Sequence, residues 1–131
     1  MTIYIAVVEQ EGDSAYGVHF PDVPGCFSAA DNEADVLANA QEALSLYFED
    51  EARVEPRDLP AIRRDPGVAD FLANGAYLLA VPLIQLTGRT VRANITLDKG
   101  LLDAIDHAAS ERGLSRSAYL ADLAKRDVMA A

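Results

Sequence analysis

Arg92, Asn94 and Thr96 stand two residues apart in the segment Val91-Arg92-Ala93-Asn94-Ile95-Thr96-Leu97. An extended strand points successive side chains to opposite faces, so these three share one face while Val91, Ala93, Ile95 and Leu97 share the other. Each polar residue of the three can read a DNA base edge. Arg donates a fork to guanine, Asn bonds adenine through two atoms, and Thr offers a hydroxyl to an edge and a methyl to thymine. Slipping the register by one residue would bury a guanidinium and an amide, which fixes which face is apolar. The major groove admits a two-stranded ribbon, and a lone strand leaves its ladder groups unpaired. The expected partner is therefore the same strand of a second copy. Two plainer readings stand beside this one. The polar row is a solvated strand face, or Thr87-Gly88 is a hairpin loop that folds 89–97 onto the preceding strand of the same chain. Tight hairpin loops favour positive φ, which a β-branched Thr resists.

Helices must hold such a strand. Leu101, Leu102, Ile105, Ala108 and Ala109 form an apolar stripe on an expected helix from Asp98 to Arg112, with Asp98 as N-cap and Gly113 as C-cap. Ser115 reads as the N-cap of a second helix carrying Leu120, Leu123, Ala124 and Val128. The Ser115-Arg116-Ser117 start combines open amides, the positive end of a helix dipole and a cation, a seat for phosphate. Alternating strand, short helix, Gly turn and Ser-Arg-Ser start, over residues 89 to 128, resemble the ribbon-helix-helix DNA-binding domain. The resemblance implies an intertwined homodimer with its paired strands in the major groove. By position, Arg92, Asn94 and Thr96 would read bases, and Ser115, Arg116 and Ser117 would contact phosphates.

The whole chain has 131 residues, a net charge of −10 and a sequence pI near 4.4, which as one unit argues against nucleic-acid binding. Split at Gly88, four basic and fifteen acidic residues give the first part −11, and seven basic and six acidic residues give the second +1. The acidic part would repel phosphate and attract a basic partner, so the two parts are expected to have different clients. A charged surface serving solubility is the plainer alternative. The longest apolar segments fall short of the roughly 20 residues of a membrane helix, and Met-Thr-Ile-Tyr-Ile lacks the pattern of a secretory signal. A single cysteine, Cys26, fits a reducing cytoplasm.

Residues 2–9 are β-branched and apolar and read as a buried strand; Gln10 to Ser14 is a turn, and 15–20 a returning strand. Pro21-Asp22-Val23-Pro24-Gly25 breaks regular structure, and Cys26 to Ala29 resumes as a short strand. Asp31 or Asn32 caps a helix from Glu33 to Glu51, with Val36, Leu37, Ala40, Leu44, Tyr47 and Phe48 on its apolar face. Arg53 to Pro66 holds three prolines and reads as a loop or linker, with a short helix near Val68 to Leu72. A strand follows at 77–84, where Pro82 places its end at an edge or bulge. The expected fold class is α+β: a βββαβ domain over 1–86, then a ribbon-helix-helix over 89–131.

The first half resembles the N-terminal domain of HicB-type antitoxins. The resemblance rests on the run Tyr16 to Cys26, with its Phe20-Pro21-Asp22-Val23-Pro24-Gly25-Cys26 string, on the helix containing Ala40, Glu42, Ala43 and Leu44, and on the Pro-rich loop after it. The chain departs from that family's Gly-Asp-Thr-x-Glu-Glu-Ala run, reading Ala30-Asp31-Asn32-Glu33-Ala34-Asp35-Val36 before the helix. The resemblance implies a truncated RNase H-like fold and a small basic HicA-type mRNA-cleaving toxin as partner. Residues 1 to about 75 would occlude that toxin's active site, and the C-terminal domain would repress the shared operon on its operator DNA. A stand-alone repressor with a small-molecule-sensing first domain is the alternative, although no phosphate-cradling Gly loop is legible. Glu9, Asp22 and Glu42 are the carboxylates that an RNase H-like Mg²⁺ site would draw on, but the expectation is no enzyme. Asp22 is assigned to its turn and Glu42 to a solvated helix face. His19 and His107 fall in different domains and Cys26 is the lone thiol, so no metal or other cofactor is expected; His19 reads as packed and Cys26 as a small buried hydrophobe. A homodimer follows from the ribbon, and pairing again to a tetramer stays open.

Overall fold

A computed structural model describes residues 1–130, with side chains through Val128. The chain divides into two compact units, Met1–Gln85 and one that begins at Leu86.

In the first unit, β1 (Thr2–Gln10), β2 (Tyr16–His19), β3 (Phe27–Ala30) and β4 (Tyr77–Leu83) form an antiparallel sheet in the order β3-β2-β1-β4. Directly paired residues share a face, so the register defines two surfaces. Tyr4, Ala6, Val8, Val18, Ala30, Val81 and Leu83 are buried with α1 (Val36–Asp50), whose Val36, Ala40, Leu44 and Phe48 recur at helical spacing. Tyr4 lies 5.4 Å from Phe48, ring centre to ring centre, and its hydroxyl donates to the Val54 carbonyl at 2.5 Å, holding the following loop against the core. On the opposite face, Val7 is buried with Ile62 of α2 (Leu59–Arg64) and Val68 of α3 (Pro66–Ala73), with Ile5, Leu72 and Leu78 around them.

The first unit is therefore βββαααβ, not the expected βββαβ. The region Arg53 to Pro66, read from its prolines as a loop, contains α2. The reason is positional: Pro60 and Pro66 sit in the first turns of α2 and α3, where a missing N–H costs nothing and the fixed φ already suits a helix. Asp58 and Asp65 complete each start, their carboxylates accepting from the Ala61 and Gly67 amides at 2.9 Å. The expected helix over Glu33 to Glu51 begins instead as a 3₁₀ turn, Glu33–Asp35, and becomes α-helical at Val36; Asn32 is extended and makes no side-chain cap.

The Phe20–Cys26 connection is two consecutive tight turns, Val23 N to Phe20 O at 3.0 Å and Cys26 N to Val23 O at 3.1 Å. Its three-residue period turns Phe20, Val23 and Cys26 into the core, and Gly25 takes the positive φ of 93° that the second turn needs. Asp22, largely covered by Arg57, accepts from the Arg57 backbone N at 2.7 Å and from its Nε at 2.6 Å, and Arg57 also reaches Asp65 at 3.1 Å. This fork fastens the Pro-rich loop to the strand connection and to the start of α3.

In the second unit, α4 (Lys99–Glu111) and α5 (Arg116–Ala130) form a helical pair. Gly113 has a φ of 68°, and bonds from Gly113 N to Ser110 O (3.1 Å) and Leu114 N to Ala109 O (2.9 Å) close α4 in a Schellman turn. No strand forms over 89–97, and β4 ends at Leu83 paired only with β1, so the single-chain hairpin is absent. One copy of an isolated strand has nothing with which to satisfy its ladder groups.

Leu44, fully buried between α1 and the sheet, tests this packing. Leu44→Ala should cost about 2–5 kcal/mol in urea unfolding followed by circular dichroism, at unchanged denaturant dependence.

Candidate functional site

Two surfaces carry groups that the fold does not itself use. The first lies on the sheet. One row of paired residues crosses all four strands on a single face: Leu78, Val7, His19 and Phe27. α2 and α3 cover the Leu78–Val7 end. Phe71 of α3 packs against His19 with ring centres 4.7 Å apart, which makes His19 the packed strand residue expected from sequence. Coverage stops there, and Phe27 at the sheet edge is 71% exposed. The next row, Glu9, Gly17 and Ala29, leads into a groove of about 440 Å³ lined by Glu9, Glu11, Ser14, Phe71 and Asn74.

The carboxylates weighed for metal chemistry lie apart. Glu9 is on this sheet face, Asp22 is in the ion pair with Arg57, and Glu42 is on α1 against the other face. Among the described residues, no three His, Cys, Asp or Glu side chains gather where they could hold a metal ion. Cys26 is buried as expected, and burial pushes its thiol pKa up, favouring the uncharged form.

The second surface is the start of the second unit. Residues 86–96 are all exposed, so Arg92, Asn94 and Thr96 face solvent, and so do Val91 (79%) and Ile95 (66%) from the apolar half of the alternation. Of the apolar half, only Leu97 is half-buried among the described residues. Behind this segment, Asp98 caps α4 by accepting from Leu101 N at 3.1 Å. Ser115 caps α5 by accepting from Ala118 N at 3.1 Å, as its position predicted.

Arg116 is where sequence reasoning fell short. Its Nε and Nη2 form a fork onto the two Asp106 carboxylate oxygens, both at 2.8 Å. Read by position as a phosphate contact, Arg116 already holds an anion of its own chain. The signal for this lay in Asp106, one helical turn and a Schellman loop before it, but a pair ten residues apart is invisible until the Gly113 turn reverses the chain. Ser115, Arg116 and Ser117 do come together at one helix start, where further amides lack partners within the helix.

Residues 4–124, nearly the whole chain and both units, match the family of HicB-like antitoxins of bacterial toxin-antitoxin systems. The chain belongs to the HicB-like antitoxins. A relative 32% identical over 136 residues, covering 98% of this chain and 99% of its own, is an uncharacterized 14.9 kDa protein from the rep-hol intergenic region of Haemophilus phage HP1. Among solved structures, this antitoxin is similar to the Burkholderia pseudomallei antitoxin HicB, at 25% identity and a TM-score of 0.53 over 98% of this chain and 97% of that one. It is also similar to a chain of the HicA3 and HicB3 toxin-antitoxin complex, at 26% identity and a TM-score of 0.54 over 63% of this chain and 99% of that one. In this HicB-like antitoxin, the string Phe20 to Cys26 that suggested the family is the double turn that inserts three side chains into the core.

The Arg116 fork holds the Asp106 carboxyl below the ordinary aspartate range, mainly through the hydrogen bonds and further through the nearby positive charge. A carboxylate whose pKa is depressed by folding adds stability above the unfolded value, and loses it as pH falls through the lowered folded value. Carboxyl titration by NMR should place Asp106 below the ordinary aspartate range. Arg116→Ala should return Asp106 to the ordinary range and abolish that part of the acid sensitivity of the α4–α5 pair.

Proposed function

We propose that this antitoxin binds and silences a small basic HicA-type mRNA-cleaving toxin through its first unit, a partial RNase H-like domain, and represses its own operon in the cytoplasm through a ribbon-helix-helix formed by two copies of its second. The observation that carries the reading is the segment 91–96, whose polar and apolar residues all stand in solvent with no strand partner among the described residues. Pairing it antiparallel with its counterpart from a second copy satisfies the ladder groups, covers Val91, Ala93 and Ile95 against the helices, and turns Arg92, Asn94 and Thr96 outward as one symmetrical reading surface. The helices favour such pairing: Leu101, Leu114 and Leu123 are substantially exposed, and Ile105 and Ala109 are the only hydrophobic side chains fully buried among the described residues of this unit. A unit of this size needs more core than that to stand alone.

In the bound state, Arg116 would exchange or share its Asp106 partner with a phosphate beside the Ser115 and Ser117 groups. The toxin half of the proposal is supported by family membership and by the known complex of a relative, HicA3 with HicB3. The charge of the first unit agrees, since an RNA-binding toxin is basic and an acidic inhibitor speeds encounter and guides orientation. Inhibition is steric and needs no chemistry from the antitoxin, which we read as no enzyme. A repressor that senses a small molecule would share the second unit and differ only in the client of the first.

The neighbouring reading frame discriminates between these. Co-expression should yield a complex with a small basic protein, whose RNA cleavage stops at saturating antitoxin; continued cleavage would defeat the occlusion mechanism. For the ribbon, Arg92→Ala should cost about 1–3 kcal/mol of operator binding and relax one base position. Ile95→Asp should convert the dimer to monomer in size-exclusion chromatography and abolish operator binding. Retention of both dimer and operator binding in Ile95→Asp would remove the proposed ribbon.

A further inference from the structure

On the reading that the first unit binds a toxin, we propose that the docking surface is the uncovered half of the second sheet face, with Phe27 as its apolar anchor and Glu9 as its charged contact. The occupant is a cationic patch of the toxin that sets an arginine or lysine beside an apolar side chain.

Four observations converge on this face. Phe27 is the exposed end of a row whose other three members are covered, so its ring continues an apolar surface that is already rigid behind it. A recess of about 170 Å³ runs between Glu9 and Phe27 across Gly17, which has no side chain to fill it, and the larger groove continues past Glu9 and Glu11. Among the described residues, neither Glu9 nor Glu11 makes an ion pair, while two of the four arginines of this unit are engaged elsewhere, Arg57 with Asp22 and Asp65 and Arg53 with Gln85. Arg63 and Arg64 end α2, outside this groove. The face is therefore apolar and negative with no cation of its own, complementary to a basic protein. Finally, the sheet edges are obstructed. The Asn39 amide donates to the Ala29 carbonyl on β3 at 2.9 Å, and Pro82 removes a donor from β4, so a partner gains more from the side-chain face than by adding a strand.

The test uses the full chain and the small basic protein encoded in the neighbouring frame, with affinity from calorimetry and association rates from surface-immobilised complex. Phe27→Asp should weaken binding by at least about 30-fold, the loss typical of an interface anchor. Phe27→Ala should weaken it less. Glu9→Lys should slow association by about 10-fold and flatten its dependence on salt. Leu46→Asp, on the exposed side of α1, should leave affinity unchanged. Because Phe27, Glu9 and Leu46 are exposed, melting curves should match wild type and separate contact loss from unfolding. Wild-type affinity in both Phe27→Asp and Glu9→Lys would overturn this surface while leaving the toxin-binding reading intact, as would a loss confined to Leu46→Asp. Failure of the wild-type chain to bind the neighbouring protein would overturn the toxin-binding reading and this surface with it.

Discussion

β1 is hydrogen-bonded to a strand on each side and covered by helices on each face, so Ala6, Val7 and Val8 in succession lose all contact with water. An ordinary antiparallel strand keeps one face wet and alternates accordingly; this one cannot, and the remainder of the first unit is arranged to supply its second cover. α1 supplies the first with side chains at helical spacing. The second comes from α2 and α3, which are too short to be stable alone and depend on tertiary packing. They are held by three devices: proline and aspartate at each start, Ile62 and Val68 seated on Val7, and the Asp22–Arg57–Asp65 fork that ties the preceding loop to the strand connection.

The geometry of that second cover decides what remains for a partner. Two helices of six and eight residues roof β1 and β4 and reach β2 through Phe71 on His19, and the row Leu78–Val7–His19–Phe27 passes from interior to surface along its own length. Apolar side chains at the open end would invite indiscriminate association if the edges were free and the charge neutral. Here Asn39 and Pro82 obstruct the edges, and the excess of carboxylates repels other acidic surfaces. What is left is the face proposed above to take a basic protein, in keeping with membership of an antitoxin family.

The second unit has the opposite problem. Its caps and its Schellman turn are complete, so the two helices are locally well defined, yet few side chains are buried between them and an entire amphipathic segment stands uncovered. Local order without a sufficient core is the condition in which folding and association become one equilibrium. The ion pair between Arg116 and Asp106 neutralises the cation nearest the proposed phosphate seat, so any anion bound there competes with a carboxylate already in place.

Much of this was legible in the residues. Helical spacing in α1, α4 and α5 and the caps Asp98, Gly113 and Ser115 are local patterns, and local patterns specify local structure; the alternation at 91–97 is equally local, yet no strand forms there in the single chain. The prolines of 53–66 misled because proline ends one helix and begins another with the same residue, and only the aspartate before it tells which. Tertiary structure alone decided which half of the second sheet face stays open, that Asp22 clasps Arg57 thirty-five residues away, and that Arg116 rests on Asp106. Those outcomes depend on which distant segments arrive beside one another. Sequence by itself fixed which side of each element is apolar, through the periods of helix and strand; it left open what covers each side, because burial is a property of two surfaces and a linear pattern describes one at a time.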